Sequence, residues 1–409
     1  MLSLPPLSLY VHLPWCVRKC PYCDFNSHEY RDGAGGPPPF AAYVDALIAD
    51  LDLDLPLAWG RTVHSVFFGG GTPSLFPAAA IDRFLQAASA RLRFAPGCEI
   101  TLETNPGTAE HGRFGDYLHA GVNRVSFGIQ SFDDGCLQRL GRIHDSAQAE
   151  AAVKLAQDAG LDNLNLDLMY ALPGQTLAMA LHDLERAFAL APAHISHYQL
   201  TLEPNTVFAA RPPEHLPDED LAWDMQEQGQ AALAAAGYAQ YEISAYARPG
   251  RQCAHNLNYW RFGDYLGVGA GAHGKLSLPA EGGDAGRLLR RWKLKHPVAY
   301  LAQAGTAAAI GGDEDIAPAQ RPFEYMLNLL RLREGFALAA FEARTGLPRE
   351  AIAAPLAQAV DAGWLVVEDG RVRPTESGLR FANDVIALFL PAPDPAVAAQ
   401  AAAAHGDAP

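Results

Sequence analysis

The chain is short of positive charge. Its 31 Lys and Arg stand against 46 Asp and Glu, giving a formal net charge of −15 over 409 residues. That balance excludes a general surface for nucleic acid or anionic lipid, which needs clustered Lys and Arg, though not a local basic groove. No apolar run approaches the ~20 residues of a membrane-crossing helix. The start, Met1-Leu2-Ser3-Leu4-Pro5-Pro6, lacks the basic region and apolar stretch of a signal peptide. Cysteine is scarce as well: six in the whole chain, which makes no disulfide scaffold. These absences point to a cytoplasmic protein. Apolar residues, by contrast, are plentiful. At 49% hydrophobic and 19% charged the chain can bury a sizeable core. Its length suits a large domain plus a smaller one. No internal repeat is visible.

Short apolar strands alternate with amphipathic helices through the first two-thirds. Strands are expected at Leu7–Leu13, Val63–Phe68, Glu99–Glu103, Arg124–Gly128, Asn163–Leu168 and His194–Leu200. Helices are expected at Phe40–Leu55, Ala78–Leu92, Gly112–Ala120, Ala147–Ala159 and Leu177–Leu190, where apolar residues recur every three or four positions. A further helix, Asp218–Gly237, opens at a Pro-Asp start signal. The alternation predicts an α/β fold with a parallel sheet, and about six βα units fit a partial (β/α)6 barrel better than an open doubly wound sheet. From Arg321 the pattern changes to Phe323–Arg333, Leu338–Thr345 and Ile352–Ala362 as helices, a hairpin around Asp369-Gly370, and a last helix Thr375–Leu390. That is the plan of a winged-helix-like α+β domain, here without a basic recognition helix. The expected organisation is a barrel core at 1–240, an extension at 241–320 with a surface loop near 279–286, the C-terminal domain at 321–390 and a disordered tail at 391–409. A Gly- and Pro-rich flexible loop is expected after the first cysteines, from the Gly-rich thirties to Pro39.

Three of the six cysteines crowd into eight residues: Cys16, Cys20 and Cys23, spaced Cys-x3-Cys-x2-Cys after the first strand. Three thiolates so spaced can wrap one face of an iron–sulfur cube, which is normally held by four. The next cysteine is Cys98, far along the chain. A cube with three protein ligands keeps one iron open for an outside ligand, as a catalytic metal keeps an open position. The alternative is a Cys3His zinc site completed by His28. Cys98, Cys136 and Cys253 read as inert thiols.

Other informative residues fall at successive strand ends. Gly69-Gly70-Gly71-Thr72-Pro73 follows the second, Glu103-Thr104-Asn105-Pro106 the third and Gln130 the fourth, and Asp167 ends the fifth. Active sites of α/β barrels gather at that face. Turn chemistry explains any one of these loops, but less readily these four and the cysteine loop in register. The triglycine lets backbone approach a ligand closely, and no Lys-Ser or Lys-Thr follows to make a Walker-type phosphate loop.

Tyr10-Val11-His12-Leu13-Pro14-Trp15-Cys16, Cys20-Pro21-Tyr22-Cys23 and the Gly-Gly-Gly-Thr-Pro loop together resemble the oxygen-independent coproporphyrinogen oxidase branch of the radical S-adenosylmethionine (SAM) proteins. Gly128-Ile129-Gln130-Ser131, Leu140-Gly141-Arg142 and Asp167 to Thr176 extend the likeness over almost the whole chain. The resemblance implies a [4Fe-4S] cluster on Cys16, Cys20 and Cys23. It implies SAM held by Tyr10, Tyr22, Gly70, Gly71, Thr72, Glu103, Gln130, Arg142 and Asp167, with Arg142 on the SAM carboxylate. The oxidase pattern has a fourth cysteine two positions on, where this chain has Phe25, and a longer N-terminal arm.

His255-Asn256-Leu257-Asn258-Tyr259-Trp260 matches the His-Asn-x-x-Tyr-Trp motif of the HemW-type haem chaperones, the other branch of the family. That resemblance implies haem b as ligand, with His255, Tyr259 and Trp260 as candidate contacts. The alternatives are a hydrogen-bonded His255 that shapes the barrel mouth, and a thiolate role for Cys253. The function so implied is haem binding and transfer to acceptors such as respiratory haem proteins, with a possible homodimer and without the oxidase activity. The runner-up is the oxidase, decarboxylating coproporphyrinogen III to protoporphyrinogen IX.

Overall fold

The computed structural model describes residues 2–30, 36–107, 114–279 and 286–391. Residues 31–35 of the loop after the cysteines, 112–113 of an expected helix, 280–285 of the expected surface loop and 392–409 of the expected tail lie outside the described residues. The chain divides into two compact units, one of residues 4–278 and 289–314, the other of 1–3, 279–288 and 315–409.

The larger unit is built on a mixed sheet. Strands β1 (Leu7–Leu13), β2 (Thr62–Gly70), β3 (Arg93–Thr104), β4 (Arg124–Gln130), β5 (Leu164–Tyr170) and β6 (His194–Gln199) lie side by side in chain order, all parallel. At one edge β8 (Ala245–Ala247) joins β6 antiparallel and β7 (Ala239–Glu242) follows it. At the other, β9 (Asp264–Val268) pairs parallel with β1, and β10 (His273–Leu278), β11 (Arg287–Lys293) and β12 (Ile310–Asp315) continue outward. The order is β12-β11-β10-β9-β1-β2-β3-β4-β5-β6-β8-β7, and among the described residues β12 and β7 do not pair. The partial barrel is thus an open sheet, not a closed one. Its six expected strands run without a reversal in order, so right-handed crossovers place their helices on one face only.

The strand sequences show which face is which. In β1 the residues Leu7, Leu9, Val11 and Leu13 are buried in the main apolar core. There they join Tyr43, Leu47 and Leu51 of helix α1 (Phe40–Asp54) and Phe84 and Leu85 of α2 (Ala78–Ser89). Ser8, Tyr10 and His12 alternate with them and point to the opposite face. The register pairs Ser8 with Ser65, Tyr10 with Phe67 and His12 with Gly69, so β2 obeys the same rule. Further helices start at side-chain caps: Asp145 forms a capping box with Gln148 before Ser146–Asp158, and Thr176 caps Leu177–Ala189.

One buried ion cluster clamps the edge strands to α1. Lys293 of β11 pairs with Asp50, and with Asp54 at 2.8 Å. Tyr300 donates to Asp50 at 2.7 Å, and the Gly269 amide donates to it at 3.0 Å. A cation with two buried carboxylates and this many donors is satisfied in place.

In the smaller unit, helices Arg321–Leu329, Leu338–Thr345 and Ala353–Asp361 precede the expected hairpin, Leu365–Glu368 with Arg371–Pro374. A third strand, Phe336–Ala337, pairs with the second arm of the hairpin. The single last helix expected at Thr375–Leu390 is instead two, Glu376–Arg380 and Ala382–Ala387. Phe381 between them leaves helical geometry at φ −104° and ψ 35°. The break lets Val385 and Ile386 turn inward and be buried.

Candidate functional site

The face left bare by the helices is polar. Along it the strands offer Ser8, Tyr10, His12, Ser65, Glu99, Thr101, Glu103, Arg124, Ser126, Asn165, Asp167, His194 and Tyr198. At the carboxyl ends of the strands this face meets the cysteine loop.

The loop is docked by its own sulfurs. Cys16 lies on the short strand Trp15–Cys16, which pairs with His28–Glu29. Its Sγ accepts from Thr72 Oγ1 at 3.6 Å, and Cys20 Sγ accepts from Arg142 Nη1 at 3.5 Å. Cys23 Sγ and Ser27 Oγ are 3.7 Å apart. All six cysteines are free thiols. Burial pushes the Cys16 thiol up to about 11, the Thr72 bond opposing it, and burial also raises Cys23. Iron binding would draw off these protons, since only the thiolate ligates. The three hydrogen-bond donors are of the kind that tune a sulfur-bound cluster.

Among the described residues no three His, Cys, Asp or Glu side chains converge on a point that would hold a single metal ion. His28 is turned instead to Asn26 Oδ1, at 3.2 Å, and to the His296 ring, with centroids 5.5 Å apart. A cube makes a different demand, because each thiolate meets its own iron. The donor set of three thiols on one loop therefore fits a cluster. Phe25, where the oxidase pattern has its fourth cysteine, is 59% exposed.

Arg142 is the hub beside the loop. Besides Cys20 it donates from Nη2 to Asn105 Oδ1 at 2.5 Å and to the Gly128 carbonyl at 2.7 Å, and from Nη1 to Tyr22 Oη at 3.5 Å. Asn105 also donates to Thr72 Oγ1 at 2.9 Å, so one amide joins the arginine to the Gly-Gly-Gly-Thr loop. Gln130, held at φ +69°, accepts from Tyr198 at 3.1 Å. Glu103 accepts from the Gly70 amide at 3.3 Å. Asp167 accepts from Ser126 at 3.2 Å and Asn165 at 2.8 Å. Burial, then the Asp167 charge, push Glu103 up to about 8; burial also raises Asp167. Two buried carboxyl groups that share the Arg124 guanidinium as counter-charge are what an incoming ammonium or sulfonium would relieve. That chemistry fits SAM.

The triglycine answers to a different constraint from the one the sequence suggested. A Cβ at Gly70 would lie 2.8 Å from the His12 ring, and one at Gly71 2.5 Å from the Trp15 carbonyl oxygen. Protein packs there, at the junction of β2 with the cysteine loop. Tyr10 lies over Gly69, stacked on Phe67 with centroids 6.4 Å apart, and bonds His12 Nδ1 at 2.9 Å.

The His-Asn-x-x-Tyr-Trp motif is not at this mouth. It forms the helix Ala254–Trp260, which closes the opposite end of the polar face. His255 is buried there, its Nδ1 3.1 Å from Ser65 Oγ and its ring centroid 4.9 Å from that of Phe67. Asn258 donates to Ser8 Oγ, and Glu99 accepts from the amides of Ala254 and His255. Tyr259 is partly exposed against Trp260 and Tyr265. Cys253 Sγ faces Glu99, and burial pushes its thiol up to about 12, so it carries no ready thiolate.

Sequence reasoning missed Asn105 and Tyr198 as members of the site. Both sit at the carboxyl ends of strands, the rule that found their neighbours.

Comparison with known proteins follows the same lines. Residues 10–187 match the radical SAM superfamily and residues 316–381 the HemN C-terminal domain. The "Heme chaperone HemW" of Escherichia coli (strain K12) is 50% identical over 390 residues, 95% of this chain and 100% of the relative. Its namesake from Haemophilus influenzae is 49% identical over 394 residues, 95% of this chain and 99% of the relative. The solved structure of Escherichia coli coproporphyrinogen III oxidase (HemN) is similar in fold, with a TM-score of 0.77 at 24% identity, covering 94% of this chain and 90% of that one.

Proposed function

Because the chain belongs to the HemW family of radical SAM proteins, we propose that it binds haem b and delivers it to acceptor haem proteins, respiratory enzymes among them. The observation that carries this is the near-complete span of its 50% identity to a relative named for that activity. Phe25 supports it against the oxidase alternative, which would have a fourth cysteine there.

In this proposal Cys16, Cys20 and Cys23 hold a [4Fe-4S] cluster, with Thr72, Arg142 and Ser27 tuning their sulfurs. A bound cluster and SAM supply one-electron chemistry. Arg142 would take the SAM carboxylate, with Asn105 holding the guanidinium in place. Glu103, Gln130 and Asp167 accept from the SAM amino group and ribose, Tyr10 and Tyr22 flank it, and Gly70, Gly71 and Thr72 hold its methionine end. These groups gate haem transfer or exchange between monomer and dimer. His255, Tyr259 and Trp260 are one candidate haem set. The burial of His255 requires the helix to open before it can meet iron, so the motif serves first as the floor of the polar face. No helix among the described residues is long and apolar enough to cross a membrane, and the working compartment is proposed to be the cytoplasm.

The test is anaerobic reconstitution, followed by iron and sulfide analysis and by haem retention after desalting. Three-cysteine-dependent iron with haem retained at one per chain supports the proposal. Reconstituted protein that retains no haem overturns it.

A further inference from the structure

A chain of side chains runs across the polar face and ends on Asp167. The carboxyl oxygen Oδ1 of Asp167 accepts from Asn165 Nδ2 at 2.8 Å, and Oδ2 accepts from Ser126 Oγ at 3.2 Å. Asn165 Nδ2 also donates to Ser126 Oγ at 2.7 Å, so one amide governs both contacts. Behind it, Asn165 Oδ1 lies 2.6 Å from His194 Nδ1 and accepts from Ser196 Oγ at 3.1 Å. His194 is the cross-strand neighbour of Asn165, and its Nε2 lies 2.8 Å from Tyr241 Oη. Tyr241 stands on β7 and accepts from the Cys253 amide at 3.4 Å, where the floor helix begins.

Donor and acceptor counts fix the direction of every bond in this chain. An Asp167 carboxylate only accepts, so Asn165 turns its NH2 toward it and its carbonyl toward His194. That carbonyl takes a proton from His194, which makes the ring the Nδ1–H tautomer. Burial, then the Arg124 charge, hold the pKa of His194 well below its ordinary value, so the ring is neutral and has one proton to place. Its bare Nε2 then accepts from the Tyr241 hydroxyl, which burial keeps protonated. The reverse arrangement, with the proton on Nε2, would swing the Asn165 carbonyl onto Asp167 and set two acceptors 2.8 Å apart. Burial raises the pKa of Asp167, and the Asn165 bond is foremost among the contacts that oppose the rise.

We propose that Tyr241, His194 and Asn165 are positioning residues that hold Asp167 as a fixed acceptor for SAM. The Tyr241 hydroxyl sets the tautomer of His194, the tautomer sets the direction of the Asn165 amide, and the amide orients the carboxylate. A carboxylate has about four acceptor sites. Asn165 and Ser126 occupy one on each oxygen, and the rest are left for a hydroxyl or ammonium donor of the ligand. The inference rests on the reading of Asp167 as a SAM contact. It extends that site from the carboxyl ends of the strands down to the floor of the sheet.

The experiment is equilibrium dialysis of SAM against cluster-loaded protein. The proteins are wild type, Tyr241→Phe, His194→Leu, His194→Asn and Asp167→Asn, with Tyr241→Phe and His194→Leu each also combined with Asp167→Asn. Cluster iron and denaturant unfolding, measured on every variant, report whether the larger unit is intact. His194→Leu is expected to weaken SAM binding on the order of tenfold, and Tyr241→Phe about threefold. His194→Asn, whose amide can donate from the place of Nδ1, is expected to bind within about threefold of wild type. Asp167→Asn presents an amide that suits either direction of Asn165. In that background the other two changes are therefore expected to cost less than about twofold more. If His194→Leu loses its cluster, Tyr241→Phe, which removes one hydroxyl, carries the same cycle. If wild type binds SAM and the single variants match it, or their losses recur in full beside Asp167→Asn, the positioning chain is overturned and the SAM reading stands. If wild type binds no SAM, that reading falls and takes the chain with it.

Discussion

Replacing Glu103 with glutamine should flatten the dependence of stability on pH. The carboxyl is buried beneath Gly70, and burial together with the Asp167 charge raises its pKa to about 8 from 4.5. The folded value lies above the unfolded one, so the unfolded chain gives up the proton first. Stability from this group is therefore full below pH 4.5 and declines as pH rises through the window up to 8. The window, 8 − 4.5 = 3.5 pH units, corresponds to about 5 kcal/mol at 1.36 kcal/mol per unit. Roughly half or more of that is lost between about pH 5 and pH 7. Glutamine keeps the acceptor for the Gly70 amide and carries no proton to lose. Urea unfolding of cluster-loaded, SAM-free protein at several pH values measures the effect. The Glu103→Gln advantage over wild type should be small near pH 5 and grow to roughly 3 kcal/mol near pH 7. Titrating groups that do not interact with Glu103 cancel in the difference, and the relief of Asp167 adds to the advantage. Two stability curves that run parallel from pH 5 to pH 9 would refute the reasoning. In wild type, SAM binding near pH 7 should also release protons, seen as a dependence of binding heat on buffer ionisation, and the variant should lose it.

Three further outcomes are expected. Asn105→Ala removes the amide that orients Arg142 and Thr72, so SAM affinity in equilibrium dialysis should fall on the order of tenfold while cluster iron is largely kept. Gly71→Ala puts a methyl 2.5 Å from the Trp15 carbonyl oxygen, so the cysteine loop must shift and reconstituted iron and sulfide should fall well below four per chain equivalent of wild type. Lys293→Met leaves Asp50 buried without its cation, while Asp54 keeps Arg291 at 2.6 Å, at a cost of roughly 3–5 kcal/mol readable by denaturant unfolding.

Much of the larger unit was legible because its strands are strongly patterned. The alternation in Leu7–Leu13 sorts helix-facing from site-facing residues, and its expected bounds match the strand. The helices starting at Phe40, Ala78 and Leu177 declare themselves by their apolar period. The edge strands were not legible. Ile310–Asp315 reads Ile-Gly-Gly-Asp-Glu-Asp, a composition that argues against a strand. It is held by tertiary contacts, Arg291 to Asp313 at 2.7 Å and Trp292 over the two glycines. Likewise Gly267 to Gly271 reads as a loop, yet β9 ends inside it. At the site, cysteine spacing and strand-end position were enough to find the residues that the fold gathers. They could not tell that Asn105 bridges Arg142 to Thr72, since that contact joins the ends of different strands. Nor could the motif at His255 reveal that its helix closes the floor of the sheet, away from the mouth, because that depends on how the chain returns after β8.

The central claim is that a cluster- and SAM-binding scaffold here handles haem without performing the oxidase reaction. One anaerobic preparation, divided in two, tests it most directly. One half receives haem and is read by Soret absorbance after desalting; the other receives coproporphyrinogen III, SAM and reductant and is assayed for protoporphyrinogen. Retained haem at one per chain, with no protoporphyrinogen formed, is the predicted result. Protoporphyrinogen formed by protein that retains no haem would contradict the account and identify an oxidase that works with Phe25 in place of a fourth cysteine.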